Sequence, residues 1–274
     1  MAFLLSPAAY AAMLAVYAVS LLLFFADFLR DNRAANRIGL TFLGVVWILE
    51  TAFMGARIAA DHRLPFFTSG QATVFYAWLL VTVSGIVSLF SRIDFFAFFV
   101  NLLGFLFVAF DTFVHGRGAN AYPRQSDLLL LHISFAFLSY LAFALSCIWS
   151  VLYLLEDSAL RGKRFSSGSF RRLPALEKLD GFAYRTALTG LPLLLIAIVL
   201  GFIWYAMLTG RVLLIDAKTV TSVLLLAVYG AYAWLRASGR FGGRRGAWLN
   251  IGAFLGVVLN FLVVGEFMSR FHRW

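Results

Sequence analysis

Eight stretches of about twenty mostly apolar residues follow one another along this chain, and nothing else in the sequence constrains the fold as much. A helix needs about 20 such residues to cross the ~30 Å hydrocarbon core of a bilayer. The stretches cover 7–28, 38–59, 71–91, 95–114, 127–155, 185–208, 213–236 and 247–268. Only Arg92, Ile93 and Asp94 separate the third from the fourth, which makes that pair a tight helical hairpin. None alternates polar and apolar residues in ten-residue segments, as strands of a membrane barrel do. Charged residues make up 13% of the chain, against about 25% in soluble domains. Too little polar sequence remains to cover a water-facing globule. The expected fold is therefore all-α, a polytopic bundle of about eight membrane-spanning helices in a single integral membrane domain over 1–274. Residues 1–6 carry no basic side chain and the first span exceeds a signal-peptide core, so it reads as a retained helix.

Basic residues concentrate in cytoplasmic loops of membrane proteins. The chain has 23 Lys and Arg. The loops after spans one, three, five and seven hold fifteen of them, the opposite side holds six, and Arg57 and Lys218 lie in or beside spans. This asymmetry predicts that both termini are extracytoplasmic. The net charge of +10 then reflects basic loops facing an anionic membrane surface, with membrane lipids and not nucleic acid as the partner. The longest of these loops, 156–184, is the most basic. Within it Leu173, Leu176, Leu179 and Phe182 recur every third residue between charged ones, and Pro174 suits a first helical position. This spacing predicts a short amphipathic helix on the inner membrane surface. The alternative is a solvated loop with chance spacing. The expected location is a bacterial cytoplasmic (plasma) membrane, crossed several times.

With that orientation all four histidines, His62, His115, His132 and His272, fall on the outer side. His is the side chain best suited to hold haem iron through a ring nitrogen. His62 and His115 sit in loops, where a solvated His is ordinary. His132 is different: it lies within a helix between Leu131 and Ile133, and an ionisable residue there needs a partner or a use. A macrocycle also needs aromatic walls and cations for its propionates. The outer side offers Phe66, Phe67, Tyr76, Tyr122, Phe135, Phe267 and Phe271, with Arg63, Arg124, Arg211 and Lys218 as cations. Such aromatics are also the ordinary interfacial belt. Glu50 and Arg57 lie seven residues apart on one helical face. They read as a bent pair, as parts of a proton or substrate path, or as structural groups, and Asp111, Asn101 and Glu266 are similar. Cys147, the single cysteine, excludes an intrachain disulfide and a cysteine zinc site, and reads as a packing residue.

From His132 onward the chain resembles the cytochrome c assembly protein family, the haem-handling membrane proteins that include CcsA. The resemblance is carried by Leu131-His132-Ile133-Ser134 with Leu138-Ser139-Tyr140, and by Leu173-Pro174-Ala175-Leu176-Glu177-Lys178-Leu179-Asp180 with Tyr184-Arg185. It continues through Gly201-Phe202-Ile203-Trp204, Asp216-Ala217-Lys218, Tyr229-Gly230-Ala231-Tyr232 and Arg236. Arg244-Arg245-Gly246-Ala247, Asn260-Phe261 and His272 complete it. In the N-terminal half, Asp27-Phe28-Leu29, Asn32-Arg33, Asn36-Arg37 and the run from Asp94 to Asn101 resemble the HemX-like branch. That branch has eight spans, and the likeness implies a role in haem biosynthesis or cytochrome c maturation. Carried over residue by residue, the likeness implies that His132 and His272 are axial ligands of a non-covalent, b-type haem iron. Asp216, which the likeness keeps, and the outer cations Lys218, Arg211 and Arg124 complete the expected cofactor-binding set. Two departures stand out. The family's tryptophan-rich loop is Gly210-Arg211-Val212-Leu213-Leu214-Ile215-Asp216 here, keeping the Asp but not the tryptophans. A further family His is Trp234.

Three functions compete. A haem-binding or haem-handling membrane protein is the reading the outer histidines and the family pattern favour. A membrane regulator or scaffold without haem would use the basic inner loop to recruit a cytosolic haem-biosynthesis enzyme. A cytochrome c assembly partner is the corresponding outer contact. A solute transporter would line its path with Glu50, Arg57 and Asp111. It lacks the matched pair of Gly/Pro-interrupted spans that marks such sites. No nucleophile–base set, phosphate-cradling glycine loop or HExxH signature appears, so the chain is not expected to be an enzyme.

Overall fold

The computed structural model describes residues 5–30, 32–61, 69–90, 94–114, 127–162, 173–210 and 216–269. Among these residues the regular structure is all helix, with no strand. The helices are α1 (Pro7–Arg30), α2 (Arg33–Asp61), α3 (Ser69–Phe90), α4 (Asp94–Val114), α5 (Asp127–Arg161), α6 (Leu176–Thr209), α7 (Ala217–Ala237) and α8 (Gly243–Leu259). A nine-residue π-helical segment, Asn260–Met268, continues α8. Among the described residues seven helices are long and apolar enough to cross a membrane, and α4 contributes a shorter apolar run, Phe95–Phe110. At 21 residues α4 still measures about 31 Å end to end.

The helices follow the expected spans, with differences at their ends. α5 runs on to Arg161 and α6 begins at Leu176, so both carry polar turns past the apolar stretch. The amphipathic segment does not stand apart as a helix of its own. Ala175 is extended just before the helix, and Leu176 to Phe182 are the first two turns of α6, with Leu179 buried. The 3.6-residue period satisfied by one face of a short helix is equally satisfied by the first turns of a long one.

The chain divides into two compact units, 1–121 with 162–174, and 122–161 with 175–274. In the first unit α1 packs on α2 and α4, and α3 packs on α2 and α4. Large side chains on the outer faces are exposed, among them Leu22 and Leu89, while polar ones lie inside. This reversal suits lipid as the solvent, where backbone groups are paired within helices and interhelical contacts are made by polar and small residues. Asn32 caps α2 by accepting from the Ala34 and Ala35 amides. Asn36 then donates to Asp27 at 3.1 Å, pinning the α1–α2 hairpin. Deeper in, Tyr17 donates to Asn101 Oδ1, and Asn101 Nδ2 donates to Ser84 Oγ at 2.7 Å. On the α2–α3 face, Trp47 donates to Thr82 and Trp78 donates to Thr51, a reciprocal clasp that satisfies both indoles.

In the second unit α5 packs on α6 and α8, and α7 packs on α6, α8 and the π-helical segment. The α5–α6 contact is close because small residues face each other. Ser139 and Ser146 donate to the Gly190 and Ala183 carbonyls, and the Phe143 ring lies over Gly190 and stacks on Tyr229 at 3.7 Å. At one end of this unit Arg236 of α7 pairs with Asp180 of α6, which also accepts from the Gly243 amide at the start of α8. Asp157 of α5 accepts from Arg161 and lies 3.7 Å from Arg244. The opposite end carries His132, Asp216 and Lys218.

Candidate functional site

His132 sits in the second turn of α5, half-buried against α6. Its Nδ1 lies 2.6 Å from the Ala197 carbonyl oxygen. A carbonyl only accepts, so Nδ1 carries the proton and donates. In the neutral ring this leaves Nε2 with the lone pair, the arrangement found at metal-ligating histidines. One turn on, Gly201 provides the floor under the ring. A Cβ there would stand 2.9 Å from Cε1 and 3.0 Å from Nδ1 of His132. The imidazole is thus fixed in tautomer by one residue of α6 and in position by another.

Lys218 and Asp216 reach the same end from α7. Lys218 is near enough to His132 to act on it electrostatically. Its ammonium also lies over Gly265, where an added Cβ would stand 3.2 Å from Nζ. Asp216 has a structural task. Its carboxylate caps α7 by accepting from the Lys218 amide, and it accepts a hydrogen bond from Ser269 Oγ. Ser269 ends the last span and is three residues before His272 in the sequence.

The π-helical segment shapes this end of the unit. Its first residue, Asn260, is buried and joins three helices. Asn260 Nδ2 donates to Tyr140 and to Ser222, and Thr221 donates to Asn260 Oδ1 at 2.6 Å. Every donor and acceptor of the amide is engaged. Such wide turns recur at functional sites. Here the turn lets α8 end in a close approach of Gly265 to Lys218 and of Ser269 to Asp216.

The structure therefore brings together His132, Lys218 and Asp216 from the expected set. His272, Arg211 and Arg124 lie outside the described residues, as do His62, His115 and the loop basic residues 163–172. Tyr76 packs edge-on to Phe107 inside the first unit. Trp234, where the family carries a further His, is exposed with Arg240 over its ring at 5.5 Å. Glu50 and Arg57 do not pair. Arg57 lies over the Phe53 ring at 5.6 Å, and both Glu50 oxygens lack a hydrogen-bond partner among the described residues. Reading the sequence missed the seat of the imidazole. Ala197 acts through its backbone and has no side-chain signature, while Gly201 was legible only as part of a family motif.

Comparison with known proteins identifies the family. The model of the family described as cytochrome C assembly protein matches residues 69–272. Protein HemX of Brevibacillus brevis is 40% identical over 261 residues, covering 94% of this chain and 95% of the relative. Protein HemX of Bacillus subtilis (strain 168) is 35% identical over 260 residues, covering 94% of each. The cytochrome c biogenesis protein CcsA of Guillardia theta is 25% identical over 255 residues, covering 86% of this chain and 84% of the relative. A bundle of apolar helices carrying His132, Asp216 and Lys218 at one end, with these relatives matched along nearly its whole length, belongs to the cytochrome c assembly protein family, on its HemX branch.

Proposed function

We propose that this multi-pass membrane protein binds haem non-covalently at the His132 end of its second unit. The observation that carries the reading is the His132 Nδ1–H bond to Ala197, which orients Nε2 as a metal ligand. The haem-associated family supports it. A haem bound there would supply the redox centre. The chain's own residues hold and orient it. His132 offers Nε2, and Gly201 keeps the ring in place. Lys218 offers an ammonium for a propionate. Asp216 holds Ser269, and three residues span at most about 11 Å, so His272 has the reach to offer the second imidazole on the same side. Arg211 and Arg124 are further propionate partners in this reading.

The reading assigns no bond-making chemistry to the chain, so it is not an enzyme. Both termini and the haem end face outward, and the membrane is the bacterial plasma membrane. The partners are haem, membrane lipids and either a cytochrome c assembly partner or a cytosolic haem-biosynthesis enzyme. The test is a haem titration of the purified protein followed in the Soret region. His132→Ala is expected to abolish the six-coordinate spectrum, and His272→Ala to leave a five-coordinate one. An unchanged spectrum in the double variant would contradict the ligand assignment.

A further inference from the structure

The first unit contains a polar centre that repeats the one in the second. In the second unit Tyr140 of α5, Ser222 of α7 and Asn260 at the end of α8 meet in one hydrogen-bonded triad. In the first unit Tyr17 of α1, Ser84 of α3 and Asn101 of α4 also meet at one Asn amide, with Tyr17 donating to its oxygen where Tyr140 accepts from the nitrogen of Asn260. The helices correspond in order: first, third and fourth of each unit. The second helices correspond as well. Ser20 of α1 donates to the Gly39 carbonyl of α2, and Ser139 of α5 donates to the Gly190 carbonyl of α6. Eleven residues beyond Gly190 lies Gly201, the floor under His132, and eleven beyond Gly39 lies Glu50. Glu50 therefore lies as far along α2 from the serine-bound glycine as Gly201 lies along α6.

Glu50 is fully buried, and neither carboxylate oxygen has a hydrogen-bond partner among the described residues. An ionised, unpaired carboxylate in such a place is far costlier than a neutral acid. No described cation answers it. Arg57 is seven residues on and held over Phe53, with Asp61 a further four residues along the same face. The other titratable groups on the helices packed against α2 are Tyr10, Tyr17, Asp27 and Arg30 of α1 and Tyr76 of α3; Asp27 and Arg30 lie at the end of α1 beside Asn36, about 20 Å along α2 from Glu50. Of these, Tyr10 donates to the Val108 carbonyl and Tyr17 to Asn101. None of these groups supplies a positive charge at Glu50. Asp61, at the exposed end of the stripe, accepts from Gln71 at 3.1 Å and gives the face an outlet to water.

We propose that Glu50 is an intramembrane proton-binding site, which takes up and releases one proton through the Arg57–Asp61 face of α2. The proposal stands whether or not the second unit binds haem. The test is infrared difference spectroscopy of the full chain in lipid, comparing about pH 5 with about pH 9. The expected result is a single protonated-carboxyl C=O band, shifted in heavy water. Glu50→Gln is expected to abolish the band and Glu50→Asp to retain it at a shifted frequency. If Glu50→Gln fails to fold, the presence and shift of the band in Glu50→Asp decide. No band in the wild-type difference spectrum, or an identical band in Glu50→Gln, would overturn the proposal. So would loss of the acid band on adding sodium chloride at constant pH, which would make the site one for a metal cation.

Discussion

Gly201 shows how narrowly the candidate ligand is held. An α-helix carries most side chains without difficulty, yet here any Cβ would press on the His132 ring from 2.9 Å. Gly201→Ala is expected to turn the imidazole away from Ala197 and lower haem affinity about tenfold, a loss of about 1.4 kcal/mol. Gly230→Ala meets open space and is expected to leave affinity unchanged; titrating both variants with haem checks this. His132 was legible in the sequence because an ionisable residue between Leu131 and Ile133 is out of place unless it is used. Its acceptor was not legible, since a backbone carbonyl is common to every residue. Asp216 was legible as an important position but not in its role. Its carboxylate braces a helix start and a helix end, and Ser269 gave no signal that it was the partner.

Among the elements, the last span departs most from a plain helix. Its π-helical turns place Asn260 where one amide satisfies Tyr140, Thr221 and Ser222. Asn260→Leu would leave those hydroxyls without that partner in an apolar interior. The expected cost is about 1–3 kcal/mol, read from unfolding in detergent. The same variant is expected to weaken haem binding, because the segment carries Gly265 to Lys218 and Ser269 to Asp216. The spans themselves were legible, because hydropathy reports which residues lipid tolerates. Helix ends beyond the lipid were not. The turns from Glu156 to Arg161 and from Leu176 to Tyr184 are polar enough to read as loop, yet they continue α5 and α6. The π winding is a property of the backbone and leaves no compositional trace.

For the whole molecule, the charge asymmetry yields a topology that can be measured. Lys and Arg crowd the loops after spans one, three, five and seven, so both termini are expected outside the cytoplasm. Cys147 is the single cysteine and is buried, so a Cys147→Ala background accepts single cysteines placed at Ser6 and at Trp274. Both are expected to react with a membrane-impermeant maleimide in intact cells, and reaction only after lysis would reverse the orientation. The division into two four-helix units was not legible. Their matching triads involve one Tyr, one Ser and one Asn each, at spacings that differ between the halves, and only the fold brings them into correspondence.

The central claim is that His132 holds haem iron, and chemical rescue tests it most directly. His132→Gly removes the ring and leaves room for a free one. The visible spectrum of the haem-loaded variant is expected to lose its six-coordinate form and to regain it on adding imidazole. A six-coordinate spectrum in His132→Gly before any imidazole is added would contradict the account.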